Sequence, residues 1–391
     1  MGQSVDTDMR SPFLFMVAGE ASGDLHGSRL ALQLKKLAPN CRMAGIGGPK
    51  MQTAGVDLIY SLKDFAFLGF SEVLRHLPFI FGVFRELDRT LERDRPDVII
   101  LIDYPGFNIR LAKKIKKKKI PILYYISPQV WAWQPHRARL ISRLVDRLVV
   151  VLPFEREFYR RRTGRRPHFV GHPLLEVVHA STSREDFCRR WQLHPDRPII
   201  GLLPGSREQE IERLLPAMIA AGQLLQRSMP SLQMAVGAVP TLSEDRYREL
   251  IRCSDGGKLK IVTDAPYELM HHARLLLVAS GTATLEAAIS GTPMVILYRM
   301  SILSWLIARL MVRVPYIGLV NLVAGNKIVP ELVQHQVTPS RVARQAWPLL
   351  HEGPERHDML ENLSVIRQQL GNTGASRRTA QLALSLIADG R

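Results

Sequence analysis

The sequence predicts an α/β protein: two doubly wound, parallel-sheet domains in tandem, facing a cleft and followed by C-terminal helices. Three observations predict this. Short, wholly apolar runs recur, each followed by a loop rich in Gly, Ser or Asp and then by helical sequence, as expected for strands buried on both faces of a parallel sheet. At 391 residues the chain is too long for one ordinary core. Gly171-His172-Pro173 punctuates the alternation near its middle. The expected organisation is a polar extension over 1–12, a first domain over 13–172, a second over 173–350, and helices over 351–391.

In the first domain, residues 13–17 read as a strand, 18–24 as a loop, and the helix runs from Leu25 to about Leu37. Val98–Ile102 is a strand followed by a helix near 107–118. Further strands fall at 122–126 and 147–151, with helices at Arg137–Leu144 and 155–161, and a short strand at 169–170. The second domain repeats the pattern, with strands near Ile199–Leu203, 233–236, Lys260–Val262, Leu275–Ala279 and 294–297. A basic, apolar helix is expected at 305–314. The last fifty residues read as helices near 341–350, 356–370 and 375–387.

Composition narrows the class. Lys plus Arg number 53 against 36 Asp plus Glu, a net charge of +17, which points to an anionic partner. Six lysines fall within 113–119 and five arginines within 160–166; solvated helix ends account for them equally well. The aromatic and Gly patterns of RNA-binding modules are absent. Cys41, Cys188 and Cys253 are too scattered for a disulfide framework or a metal cluster, which fits a reducing cytosol. The first twelve residues are polar with two acids, unlike a signal peptide, and no apolar run is long enough to cross a bilayer.

Four loops carry the chemistry. After the strand Leu275–Ala279, Ser280-Gly281-Thr282 offers backbone N–H groups at a helix start, with Glu286 one turn deeper on the same face. That pairing suits a nucleotide diphosphate and its ribose; an ordinary βα unit with a solvated Glu fits too. After Ile199–Leu203, Pro204-Gly205-Ser206-Arg207 adds a second anion loop, with an arginine suited to bidentate phosphate contact. Segment 19–24, GEASGD, forms a small-residue turn before a helix but lacks the dinucleotide fingerprint, and Asp24 there reads equally as a cap. Asp103 follows a buried strand, where burial raises a carboxyl toward useful basicity, unless it only caps the next helix.

Trp131 and Trp133 wall a sugar or lipid site or anchor the core. Asn321 and Glu331 sit in a Gly-containing loop, with or without a ligand. Segment 65–84 holds six Phe and few charges. It reads as core or as an interfacial patch; the second reading assigns Phe65, Phe67, Phe70, Phe79, Ile80 and Phe84 to a membrane surface. No spacing fits a zinc site, and no Asp-x-Asp ends a strand, so no metal is expected.

The ordered series GEASGD (19–24), GIGGPKM (45–51), GFSEVL (69–74), IDYPGFN (102–108), SPQVWAW (127–133), LPFE (152–155), VGHPL (170–174), LLPGSR (202–207), SGTATLE (280–286) and NLVAG (321–325) resembles that of the lipid-A-disaccharide synthases. The resemblance runs from about residue 13 to 335. It implies a GT-B glycosyltransferase, independent of metal and cofactor, peripheral on the inner face of the cytoplasmic membrane. Its substrates would be UDP-2,3-diacylglucosamine and 2,3-diacylglucosamine 1-phosphate, joined β-1,6 with inversion and release of UDP.

On this resemblance Asp103 is the base. Ser206, Arg207, Gly281 and Thr282 hold the diphosphate, Glu286 binds ribose and Asn321 helps close the nucleotide site. Glu20, Ser22 and Asp24 line the cleft. An anionic membrane surface is an expected partner and nucleic acid is not; a homodimer is compatible with the sequence. Two other classes fit parts of the pattern: another GT-B enzyme using UDP-GlcNAc, such as an epimerase or the peptidoglycan GlcNAc transferase, and a basic nucleic-acid-binding protein with steep salt dependence.

Overall fold

The computed structural model describes residues 11–62, 77–240, 242–257, 259–302, 305 and 314–389, the side chains of 77–80 excepted. Among them lie two wholly parallel sheets with interleaved helices. The first contains β1 (Phe13–Ala18), β2 (Arg42–Gly47), β3 (Asp57–Ser61), β4 (Val98–Ile102), β5 (Ile122–Tyr125), β6 (Arg147–Val150) and β7 (His168–Phe169), in the spatial order β3-β2-β1-β4-β5-β6-β7. The second contains β8 (Ile199–Leu203), β9 (Gln233–Gly237), β10 (Lys260–Val262), β11 (Leu275–Ala279), β12 (Met294–Tyr298) and β13 (Glu331–Val333), in the order β10-β9-β8-β11-β12-β13. The α/β class read from the sequence is the one observed.

Both sheets reverse their winding direction once, the first between β1 and β4, the second between β8 and β11. A crevice opens at such a point beyond the carboxyl ends of the strands, and ligands of open α/β sheets bind there. Register makes the strand tips level: Ala18 pairs with Ile102, and Leu203 with Val278. The loops after these four strands are those singled out from sequence.

The apolar runs are what fix these strands. Every residue of β1, β4, β5, β8 and β11 is buried, because helices cover both faces. β2 and β3 carry no such run. RMAGIG is half small residues, and β3 is an edge strand with its side chains only partly covered, so composition does not announce either.

Phe84 corrects the membrane assignment. It is buried and stacks on Phe107 with ring centroids 4.7 Å apart, in a core shared with Val83, Leu87 and Leu91 on the helix Leu77–Asp94. The helical recurrence of 84, 87 and 91 was the signal of that inward face. Phe65, Phe67 and Phe70 lie outside the described residues, as do the side chains of Phe79 and Ile80 and most of the helix expected at 305–314.

The chain divides into two compact units, one running to Pro173 and resuming at Asn372, the other Leu174–Gly371. The C-terminal helices are therefore shared out. Pro354–Gln369 packs in the second unit on Ala283–Ser290, whereas Ala375–Asp389 packs in the first on the helix Ala21–Leu37. Arg378 anchors that return, donating from Nε and Nη2 to the Val170 carbonyl.

Candidate active site

In the first unit the site is built on a strained corner. Asp103 and Tyr104 both take left-handed backbone conformations, φ +47° and +46°. Each such non-Gly residue costs on the order of 1–3 kcal/mol and persists only where its surroundings force it. They do so here. The Asp103 carbonyl accepts from Tyr124 OH at 2.6 Å and from Asn108 Nδ2 at 2.8 Å, and the fully buried Asn108 amide also bonds the Ile102 carbonyl. The Asp103 N–H continues the ladder to Tyr125 O. Gly19 is required opposite: a Cβ there would sit 2.0 Å from the Tyr104 ring.

The corner presents the Asp103 carboxyl in a desolvated place. Burial, then the negative charge of Glu20, push it up to about 6, and the Tyr104 N–H pulls partly the other way. Glu20 and Ser22 are exposed at the start of the helix Ala21–Leu37. That helix begins earlier than the sequence suggests, since Glu20 is extended and serves as its cap position.

Asp24 is a correction. Its carboxylate is buried and accepts from the backbone N–H groups of Gly48, Lys50 and Met51 at 2.9–3.1 Å. It caps the short helix Pro49–Thr53 and ties two motifs together, a buried, loop-shaping role where an exposed cleft-lining one was expected.

Sequence reasoning missed Glu155. It is buried, accepts from the Val151 and Leu152 N–H groups and from Trp131 Nε1 at 3.1–3.2 Å, and is pushed up to about 7 by burial. It braces the half-buried Trp131, which lies edge-on to Phe154 at 4.9 Å, while Trp133 stays 42% exposed. An acid at the end of LPFE, the third position of the helix Pro153–Thr163, was the available signal.

In the second unit the loops after β8 and β11 meet. Gly205, Ser206, Ser280, Gly281, Thr282 and Glu286 line one cavity of about 290 Å³. Thr282 opens the helix Ala283–Ser290 without a side-chain cap bond. The Glu286 carboxyl is held up at about 7, chiefly by burial, and Tyr267 OH approaches it at 3.4 Å. Arg207 is 82% exposed beside the loop, its Nη1 3.5 Å from Glu210. Glu210 also lines the cavity and was not anticipated.

Asn321, expected to help close the nucleotide site, braces its own loop. It is fully buried and wholly engaged: Nδ2 donates to Val329 O and Glu331 Oε1, and Oδ1 accepts from the Ile328 and Val329 N–H groups, all within 2.8–3.0 Å. Glu331 in turn accepts from Ile317 and Gly318, and the Ile317 carbonyl accepts from Ser280 Oγ at 2.9 Å. Asn321 is thus linked to the Ser280 loop through Glu331 and Ile317. Among the described residues, no group of three His, Cys, Asp or Glu is placed to hold a metal.

A family model described as lipid-A-disaccharide synthetase matches residues 14–386. The lipid-A-disaccharide synthase of Syntrophus aciditrophicus is 44% identical over 379 residues, 97% of this chain and 99% of that protein. That of Trichlorobacter lovleyi is 42% identical, covering 96% and 97%. Among solved structures, a UDP co-structure of S. aureus MnaA has a TM-score of 0.68 at 13% identity, covering 96% and 98%. A putative UDP-N-acetylglucosamine 2-epimerase from Listeria monocytogenes has a TM-score of 0.65 at 13%, covering 97% of each chain. Likeness at that identity speaks to the fold, which is of the GT-B type.

Proposed function

The chain belongs to the lipid-A-disaccharide synthase family, and from that membership we propose how its residues share the work. It is a glycosyltransferase that makes the lipid A disaccharide, joining UDP-2,3-diacylglucosamine to 2,3-diacylglucosamine 1-phosphate and releasing UDP. Inversion at C1 is a single displacement: the acceptor 6-oxygen bonds to C1, the bond from C1 to the UDP oxygen breaks, and the hydroxyl proton goes to a base. Asp103 is that base. The observation that carries this is a carboxyl tuned to about 6 on a corner the fold strains to hold.

Ser206, Arg207, Gly281 and Thr282 bind the diphosphate and stabilise the charge that gathers on departing UDP. Glu286 accepts from the ribose hydroxyls. Glu20 and Ser22 line the acceptor side, and the Glu20 charge adds to burial in raising the basicity of Asp103. The test is UDP release from UDP-2,3-diacylglucosamine, with and without the monosaccharide phosphate. Release dependent on that acceptor supports the reading, and equal release with unacylated UDP-GlcNAc overturns it.

We also place the enzyme at an anionic membrane surface, supported by the net +17 charge and by exposed Phe81. Among the described residues no helix is long and apolar enough to cross a membrane. Phe81→Ser should lower binding to anionic vesicles while leaving thermal stability nearly unchanged, because Phe81 is 65% exposed. Phe84→Ala should instead cost about 3–5 kcal/mol of stability, as buried aromatic truncations do. Undiminished sedimentation of Phe81→Ser with vesicles would remove this face from the membrane.

A further inference from the structure

Glu210 sits where a phosphate is expected. It lies in the first turn of the helix Glu208–Ser228, a position usually explained by the helix dipole alone. Its side chain instead folds back over the loop. Oε2 accepts from the Ser206 N–H at 3.3 Å, and Oε1 faces Arg207 Nη1 at 3.5 Å. The loop is shaped to allow this. Gly205 has φ +120°, and a Cβ there would come within 2.6 Å of Oε2. A carboxylate therefore takes the Ser206 N–H assigned to the diphosphate and lies beside the Arg207 guanidinium. Glu210 and Ser206 both line the cavity.

We propose that Glu210 is an internal counter-anion of the nucleotide site, exchanging with the diphosphate and favouring release of UDP over release of the UDP-sugar. The inference rests on the diphosphate reading of this loop. Its logic is electrostatic. One N–H cannot serve two anions at once, so a phosphate that takes the Ser206 N–H displaces the carboxylate and leaves it close by. In the donor the terminal phosphate is esterified; in UDP it is not, so UDP carries more negative charge. The displaced carboxylate thus repels product more than donor, and it re-forms its own bonds as UDP leaves. Glu210 touches no reacting atom in this scheme and acts by positioning the loop and biasing exchange.

The test is calorimetric affinity for UDP and for uridine, with UDP inhibition of turnover measured alongside. Glu210→Gln keeps size and removes charge. It should tighten UDP roughly three- to tenfold, the scale of one like-charge contact screened by water. Uridine affinity should not move, and UDP inhibition should deepen by a similar factor. Glu210→Asp, which retreats from the loop but stays charged, should fall between the two. High salt should shrink the difference between wild type and Glu210→Gln.

Unchanged or weaker UDP binding in folded Glu210→Gln overturns the inference, as does an equal shift for uridine. Arg207→Ala separates the two levels. If it leaves UDP affinity intact, the diphosphate reading fails and this inference with it. If it weakens UDP while Glu210→Gln fails to tighten it, only the inference falls.

Discussion

Asp103→Asn is expected to lower turnover by roughly 10²–10⁴, the usual contribution of a positioned base. Asn is the informative substitution, because the residue stands at φ +47°, where Asn is tolerated and Ala is strained. The amide keeps shape and removes basicity. In the wild-type enzyme the base must be ionised, so turnover should rise with pH through about 6 and then level off. Glu20→Gln should move that limb to lower pH, since the Glu20 charge is one of the two causes holding the carboxyl up.

Stability has the opposite sign. With a folded value raised above the ordinary 3.8, the contribution of this carboxyl is favourable below that range and is lost as pH rises through about 6. Asp103→Asn should therefore melt no lower than wild type at pH 8. A folded Asp103→Asn enzyme with near wild-type turnover at saturating substrates would exclude Asp103 as the base.

Arg207→Ala comes second in size. It should weaken UDP by about 1.5–3 kcal/mol, the scale of a hydrogen bond to a charged group. Arg207→Lys should recover only part, because an ammonium lacks the planar fork that matches two phosphate oxygens. The side chain is 82% exposed and its neighbour is Glu210, so its loss should leave the fold intact. Calorimetry showing wild-type UDP affinity in both variants would place Arg207 outside the site.

How much of this was legible in sequence depended on how local each feature was. β1, β4, β8 and β11 could be read because a strand covered on both faces must be apolar throughout. The loops that follow them could be read because turns and anion cradles need Gly, Ser and Asp. What a side chain does after the turn could not. Asp24 turns to the N–H groups of Gly48, Lys50 and Met51, an encounter set by the pairing of β1 with β2. Asn321 is spent on backbone groups that its own loop brings back seven and eight residues later. Glu155 and Glu210 resemble routine acids in a first helical turn until the fold shows which donors they meet. Phe84 was readable from its helical spacing, but the surrounding run of aromatics hid the period.

The helix Ala375–Asp389 has a consequence for synthesis. It completes a unit whose other elements end at Pro173, so 198 residues, Leu174–Gly371, are translated in between. At about 5–20 residues per second, that is on the order of 10–40 s during which the helix Ala21–Leu37 has emerged from the ribosome without its packing partner. The inserted unit can finish first, and the unit begun first finishes last. Nascent chains stalled before residue 375 should therefore leave the first unit more protease-sensitive than the second. Equal protection of both in such chains would show that the returning helix is dispensable for closing the first core.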